Sequence, residues 1–480
     1  MIFNSLTYLV LLFTVVLLYW VLPYRARLAL VFISSLTFYA FWRIEFLPVM
    51  LISVLVDYFV AKQIPTSDRK KSLLWISLVV NLGLLFYFKY LIFFADNAIG
   101  LANLFGAEID PLVLKIILPL GISFYTFQTI SYTIDVYRGQ IEPEKNFLLY
   151  ACYVTFFPQL IAGPILRAGE VIHQFATRPP FCWADIGIGL RRIAIGLFLK
   201  VVLADNIAQM VDEGFAVSSS SLSAIDVWTL SFLFGFQIYF DFSAYSHIAL
   251  GSARLMGIQF PENFNFPYFA GSPRDFWRRW HISLSSWIRD YLYFPLAGIK
   301  PSGNTSKGGL EEAVTENRKN KALFATWAIM GLWHGANWTF VIWGVYHSFV
   351  IYIARFLHPL TVTYNSKIKD FAGCCITLFV MMLAWIPFRA ESVSDTFIMW
   401  GKVIHPMKYS TMNLRENVYL VAAIILICMC LIYWISKSIL PALYMRKKLL
   451  FCGEVVFFTF VFALVIIFLR PINQFIYFQF

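Results

Sequence analysis

Hydrophobic stretches long enough to cross ~30 Å of hydrocarbon, about 20 residues each, recur along this chain from end to end. That pattern restricts the chain to a polytopic, all-α membrane protein. Composition agrees: 60% of the 480 residues are hydrophobic and only 14% are charged, with a mean hydropathy of +0.70. A soluble domain carries about 25% charged residues, so these residues cannot build a water-facing surface. The aromatic share of 19%, including 49 Phe, suits lipid-facing and interfacial positions.

Candidate spans run roughly over 5–22, 28–42, 47–61, 73–95, 112–132, 148–166, 186–204, 226–250, 322–356, 370–388, 417–436 and 453–469. No repeat or interdomain linker interrupts them, so residues 1–480 form one membrane domain of about 11–13 transmembrane or re-entrant helices. The first apolar run has no basic residue before it and ends in Trp20, Pro23 and Arg25 instead of small residues, so it is expected to be a retained span. The net charge of +11 belongs to basic loops beside spans, which report orientation and not nucleic-acid binding. Loops 23–27 and 62–72 are basic, whereas 96–111 and 204–225 contain no Lys or Arg. This places the N-terminus outside. The seven Cys show no metal-type spacing and read as small buried residues.

Two segments break the simple pattern. The stretch 322–356 is too long for one ordinary crossing, so it is tilted, kinked or folded back. Arg355, Lys367 and Lys369 beyond it favour a return to the starting side. The stretch 273–299 is apolar in part but holds Asp275, Arg278, Arg279, Arg289 and Asp290. Charges at membrane depth must face protein or a wet cavity, which predicts a re-entrant or interfacial helix.

Candidate chemistry concentrates in these two segments. A continuous helix around His281 would put Trp277 and Ser285 one turn either side of it, on the same face, with Arg278 and Arg279 as cations for phosphate or carboxylate. His334 stands in GLWHGANW, about 18 Å along a straight helix from Lys321 at ~1.5 Å per residue. Gly331 and Gly335 would let another backbone approach closely beside it. A neutral imidazole there can act as general base towards a hydroxyl or thiol. Trp333 and Asn337 flank it. Asp241, in the polar patch QIYFDFSAYS of span 226–250, needs a partner at that depth. His347 reads as a core histidine. HExxH, GxSxG and Walker-type motifs are absent, and no metal site is indicated.

The stretches LPLGISFYTFQTISYTIDVYRG (118–139), FFPQLIAGPILR (156–167), QIYFDFSAYS (237–246), ENFNFPY (262–268), DFWRRWHISLSSWIRDYLY (275–293) and GLWHGANWTFVIWG (331–344) give the chain its likeness. It resembles the membrane-bound O-acyltransferase (MBOAT) family, in particular its bacterial branch for alginate and polysaccharide O-acetylation, with a motif-bearing core at about 112–356. One departure is visible. His247 follows FDFSAYS where the alginate members carry an acidic residue.

The resemblance implies an MBOAT-like fold enclosing a central tunnel in the bacterial inner membrane. The family's essential His corresponds to His334 and its second active-site His to His281. It also implies an acyl thioester donor, acetyl-CoA, with no bound cofactor. The partner implied is an extracytoplasmic acetyltransferase or acceptor protein of a polysaccharide-modification machinery. On that reading His334 is the base, His281 positions the donor or stabilises developing charge, and Trp277, Arg278, Arg279, Ser285, Trp333, Asn337 and Asp241 are candidates for substrate binding. The rival expectations are a transporter or flippase, for which a buried polar pathway would also serve, and a non-catalytic scaffold. The acceptor polysaccharide stays open.

Overall fold

A computed structural model describes residues 3, 5–177, 179–299, 315–361, 367–439, 447–469 and 475. Every regular element among them is helical, and no strand occurs among the described residues. Five helices are long and apolar enough to cross a membrane: Ile44–Thr66, Lys70–Leu104, Trp338–Leu357, Phe371–Arg389 and Glu416–Trp434. Leu6–Val21 and Phe451–Ile467 are apolar but shorter. The chain is therefore a multi-pass helical membrane protein by length and composition.

The centre of the molecule is the 32-residue helix Ala224–Leu255, which starts at a capping box between Ser223 and Asp226. Its sequence carries polar residues at positions where a lipid-facing helix would carry Leu or Ile. The reason is packing: Gln237, Asp241, Ser243, Ser246 and Ser252 are all buried in protein. Small residues let the helix Trp183–Leu197 lie directly against it. A Cβ on Gly189 would fall 2.8 Å from the Gly251 carbonyl oxygen, and one on Gly196 2.7 Å from that of Ala244. Without a hydrophobic drive between helices in lipid, such close backbone approach supplies the association.

A second polar knot joins three further helices. The buried Asp57 carboxylate on Leu47–Gln63 accepts hydrogen bonds from Ser77 and Asn81 on Lys70–Leu85 and from Thr133 on Ile122–Tyr137. A buried carboxyl is tolerated only when its oxygens are satisfied in this way.

Three expected spans prove to be interrupted. In 112–132 the helix begins only at Ile122, because Pro119 and Gly121 stop it. Gly121 has φ +72°, and a Cβ there would lie 2.6 Å from the Leu160 carbonyl oxygen. In 148–166 the helix ends at Thr155 ahead of Pro158, Gly163 and Pro164. The irregular backbone that follows is buried from Phe156 to Leu166, the only setting in which non-helical chain is tolerated at such depth. The third, 322–356, is folded back. Glu316–His334 ends at Gly335, and Trp338–Thr361 returns against it.

The glycines of this hairpin differ from expectation in their partner. Gly331 pairs with Gly344 across the two arms, where a Cβ on Gly344 would stand 2.0 Å from the Trp327 carbonyl oxygen. Gly335 instead lies under the Phe340 ring. The segment 273–299 is likewise not one helix. Pro273–Arg279 and Ile282–Ile288 are separated by a break at Trp280–His281.

Overpacking the hairpin should separate its arms. Gly344→Leu is expected to destabilise the protein by about 1–3 kcal/mol, seen as a lower thermal midpoint in detergent. The exposed Gly453, with nothing within 4 Å of a new Cβ, should tolerate the same change.

Candidate functional site

Both histidines singled out in the sequence sit where a helix stops. His334 is the last residue of Glu316–His334, and the extended backbone of Gly335 ends the helix there. Its imidazole is buried among the rings of Trp333, Trp343 and Phe388, at centroid distances of 4.9, 4.8 and 5.2 Å. The ending helix leaves carbonyls without an intrahelical donor. Lys89 answers them: its Nζ donates to the Trp333 oxygen at 2.5 Å and to the His334 oxygen at 3.1 Å. A cation at a helix C-terminus is also favoured by the helix dipole. The ammonium lies 5.7 Å from the Trp333 ring centroid as well.

Lys89 stands on the π-helical turn Phe86–Tyr90, a distortion frequent at functional sites. It is not among the residues singled out from the sequence. The signal was nevertheless present, since it is a lone cation inside the apolar stretch 73–95.

His281 is fully buried and has φ +42°, ψ +56°. This left-handed conformation is uncommon for a residue with a Cβ and marks a constrained site. The break removes Trp277, His281 and Ser285 from any common helix face, which overturns that geometric expectation. His281 instead packs edge-on to Phe242 at 4.5 Å and nearly parallel to Phe124 at 6.4 Å. Phe124 also meets Trp333 at 5.9 Å, so Phe124 and Trp333 bridge the two histidines. His347 lies on the far side of Trp343, 4.7 Å between ring centroids, and is a core histidine enclosed by Trp277 and Trp327 as well.

A pocket of about 570 Å³ opens beside this cluster. Its inner wall includes Trp277, Thr326, Trp327 and Met330, and its lining also includes four cations, Arg274, Arg289, Lys319 and Arg355, against one carboxylate, Glu316. Met330 is one helical turn before His334 on the same face. Several hydrogen-bond donors near the site are buried without an acceptor among the described residues: the indole N–H groups of Trp277, Trp333 and Trp343 and the Thr326 hydroxyl. Buried donors are ordinarily satisfied, so this group is suited to receive carbonyl or other acceptor atoms from a ligand.

The remaining candidates separate. Trp277 and Ser285 line the pocket, and Ser285 also donates to the Trp280 carbonyl. Trp333 flanks His334. Arg278 is exposed, and Arg279 pairs with Asp275 at 2.9 Å. Asn337 is exposed and accepts from the Thr339 amide at 3.0 Å, which caps the returning helix of the hairpin. Asp241 has the partner its burial required: Lys200 lies 2.8 Å from it and 2.9 Å from Asp205. No cluster of three or more His, Cys, Asp or Glu able to hold a metal occurs among the described residues.

Comparison with known proteins gives the chain its relatives. The model of the membrane-bound O-acyltransferase family matches residues 144–394. The probable alginate O-acetylase AlgI of Azotobacter vinelandii is 37% identical over 84% of this chain and 77% of its own length. The peptidoglycan O-acetyltransferase of Helicobacter pylori is 38% identical over 76% of this chain and 71% of its own. A teichoic acid D-alanyltransferase of Streptococcus thermophilus is 29% identical over 48% of this chain and 55% of its own.

Lys89→Met keeps an unbranched side chain, one atom shorter, and removes the charge. Because hydrogen bonds to a charged group contribute about 1.5–3 kcal/mol, it is expected to lower the thermal midpoint and to speed amide exchange at the Gly335 turn. Hydrogen-exchange mass spectrometry would detect both the site and the size of the change.

Proposed function

This chain belongs to the membrane-bound O-acyltransferase family, and from that premise we propose that it moves an acetyl group from a cytoplasmic thioester to a hydroxyl for O-acetylation of an extracytoplasmic polysaccharide. The observation that carries this reading is the pocket with four cations and an indole-lined wall, one helical turn from the buried His334. Phosphates of a donor such as acetyl-CoA fit beside Arg274, Arg289, Lys319 and Arg355, since guanidinium and ammonium groups bind phosphate through charge-assisted hydrogen bonds. The narrow acyl-bearing arm fits between Trp277, Trp327 and Met330. The basic composition of loops 23–27 and 62–72 supports a cytoplasmic position for their side of the membrane, where the donor is taken up.

The chemistry needs one base and one place for negative charge. His334 takes the proton of the attacking hydroxyl as its oxygen bonds to the thioester carbonyl carbon. The C–S bond then breaks, and the imidazolium returns the proton to the leaving thiolate, giving ester and thiol. The indole N–H groups of Trp333 and Trp343, beside His334, are the donors available to the developing oxyanion. Burial of the site excludes water that would otherwise hydrolyse the thioester. The names of the relatives, which include alginate and peptidoglycan O-acetylation, support a polysaccharide as the final acceptor. The few polar residues near His334 fit a short carrier or a partner acetyltransferase as the immediate one.

His334→Ala should lower acyl transfer from labelled acetyl-CoA by at least about 100-fold, with expression and membrane insertion unchanged; transfer at the wild-type rate would exclude His334 as the base. Arg274→Ala with Arg355→Ala should raise the donor KM about tenfold at little cost in kcat. Transport of a labelled carrier with no thioester consumed would instead indicate a transporter.

A further inference from the structure

A hydrogen-bond network around His281 determines which of its ring nitrogens carries the proton. Asn263 is 1% exposed and lies opposite the break between the two short helices. The backbone amide of Ser283 points at the Asn263 side-chain oxygen at 3.2 Å, and the Ser283 hydroxyl does so at 2.9 Å. A backbone N–H can only donate, so the Asn263 atom it meets must be the carbonyl oxygen. The Ser283 hydroxyl already accepts from the Ile165 amide at 3.0 Å, which leaves its proton for Asn263. The Asn263 amide nitrogen is directed away, towards the Ser246 hydroxyl at 3.2 Å. Nδ1 of His281 stands 3.3 Å from the same Asn263 oxygen. That oxygen can only accept, so a hydrogen bond between the two requires the proton on Nδ1, and a neutral imidazole then presents a lone pair at Nε2.

We propose that Asn263 is a positioning residue that holds His281 as the Nδ1–H tautomer, so that Nε2 can only accept a hydrogen bond, from an N–H or O–H of the acyl acceptor other than the reacting hydroxyl. This rests on the acyl-transfer reading above and alters one part of what the sequence suggested. A neutral His281 held in this form has no N–H at Nε2 with which to stabilise an oxyanion. Its part is to hold the acceptor by that other group, with the reacting hydroxyl facing the thioester carbon, while His334 removes the proton of the reacting hydroxyl. The backbone makes the arrangement rigid. The Ile282 amide donates to the Asn263 carbonyl oxygen at 2.9 Å, and the Asn265 amide to that of Arg279 at 2.9 Å. Side chain and main chain of Asn263 together therefore fix the strained turn that aims the ring.

The test uses full-length protein in lipid bilayers, labelled with ¹⁵N-histidine, and magic-angle-spinning NMR. The His281 signal, assigned by its disappearance in His281→Gln, should show a protonated Nδ1 and a lone-pair Nε2; a protonated Nε2 in the wild type would overturn the proposal. Asn263→Leu removes the acceptor and should lower kcat about tenfold or more while the donor KM stays within about twofold. Asn263→Asp retains an acceptor oxygen and should recover at least about a third of the wild-type kcat. An Asn263→Leu protein with wild-type kcat, or an Asp variant as inactive as the Leu variant, counts against it. Should the Leu variant fail to fold, the wild-type tautomer and the Asp variant still decide. A wild type that consumes no thioester would refute the acyl-transfer reading alone, because the tautomer is read without turnover.

Discussion

Inside a bilayer every backbone amide and carbonyl needs a partner, and a helix that stops there strands several of them. The two histidine sites of this protein are built on such stops, each closed by a side chain from elsewhere in the chain. At the end of Glu316–His334, Lys89 donates to the last carbonyls. At the start of Ile282–Ile288, Asn263 accepts from the first amides. The chemistry of the supports matches the sign of the helix ends, a cation at the C-terminus and an oxygen at the N-terminus. Breaking a helix thus does two things at once. It aims an imidazole into the interior, and it recruits a polar residue that fixes the aim.

Around these stops the interior is mostly aromatic. Phe124, Phe127, Trp277, Trp327, Trp333 and Trp343 form a continuous packing that joins His281, His334 and His347. Such a wall serves a membrane acyltransferase well. It is apolar enough to exclude water, yet the indoles of Trp277, Trp333 and Trp343 keep a donor for a ligand. Lys89 lies against this wall at Trp333, four cations line the pocket beside it, and Lys200 pairs with both Asp241 and Asp205 beside the central helix.

Much of this was legible in the primary structure. The all-α membrane class followed from apolar run length, because the hydrocarbon thickness sets that length directly. The same arithmetic left 322–356 tilted, kinked or folded back, with the cations beyond it favouring the return seen in the structure, and His334 stood out as an ionisable group in an apolar run beside small residues. The requirement of Asp241 for a partner was equally plain, though not that the partner is Lys200. Other features were misjudged for physical reasons. Prolines and glycines inside 112–132 and 148–166 stop helices that hydropathy alone would continue. The residues flanking His281 were assigned to one helix face because periodicity assumes an unbroken helix, whereas the φ of +42° at His281 depends on Asn263 and its neighbours.

The division has a simple cause. Burial in lipid is a property of each segment taken alone, so the sequence by itself determined the membrane class and the family likeness, and it singled out two histidines in unusual company. Where a helix ends in the interior is decided by groups distant in the chain that satisfy its stranded backbone, Lys89 some 245 residues from His334 and Asn263 some 18 from His281. Only the tertiary structure brings those groups together. It alone decided the direction of each imidazole, the contact of His281 with Asn263 and the pocket one helical turn from His334.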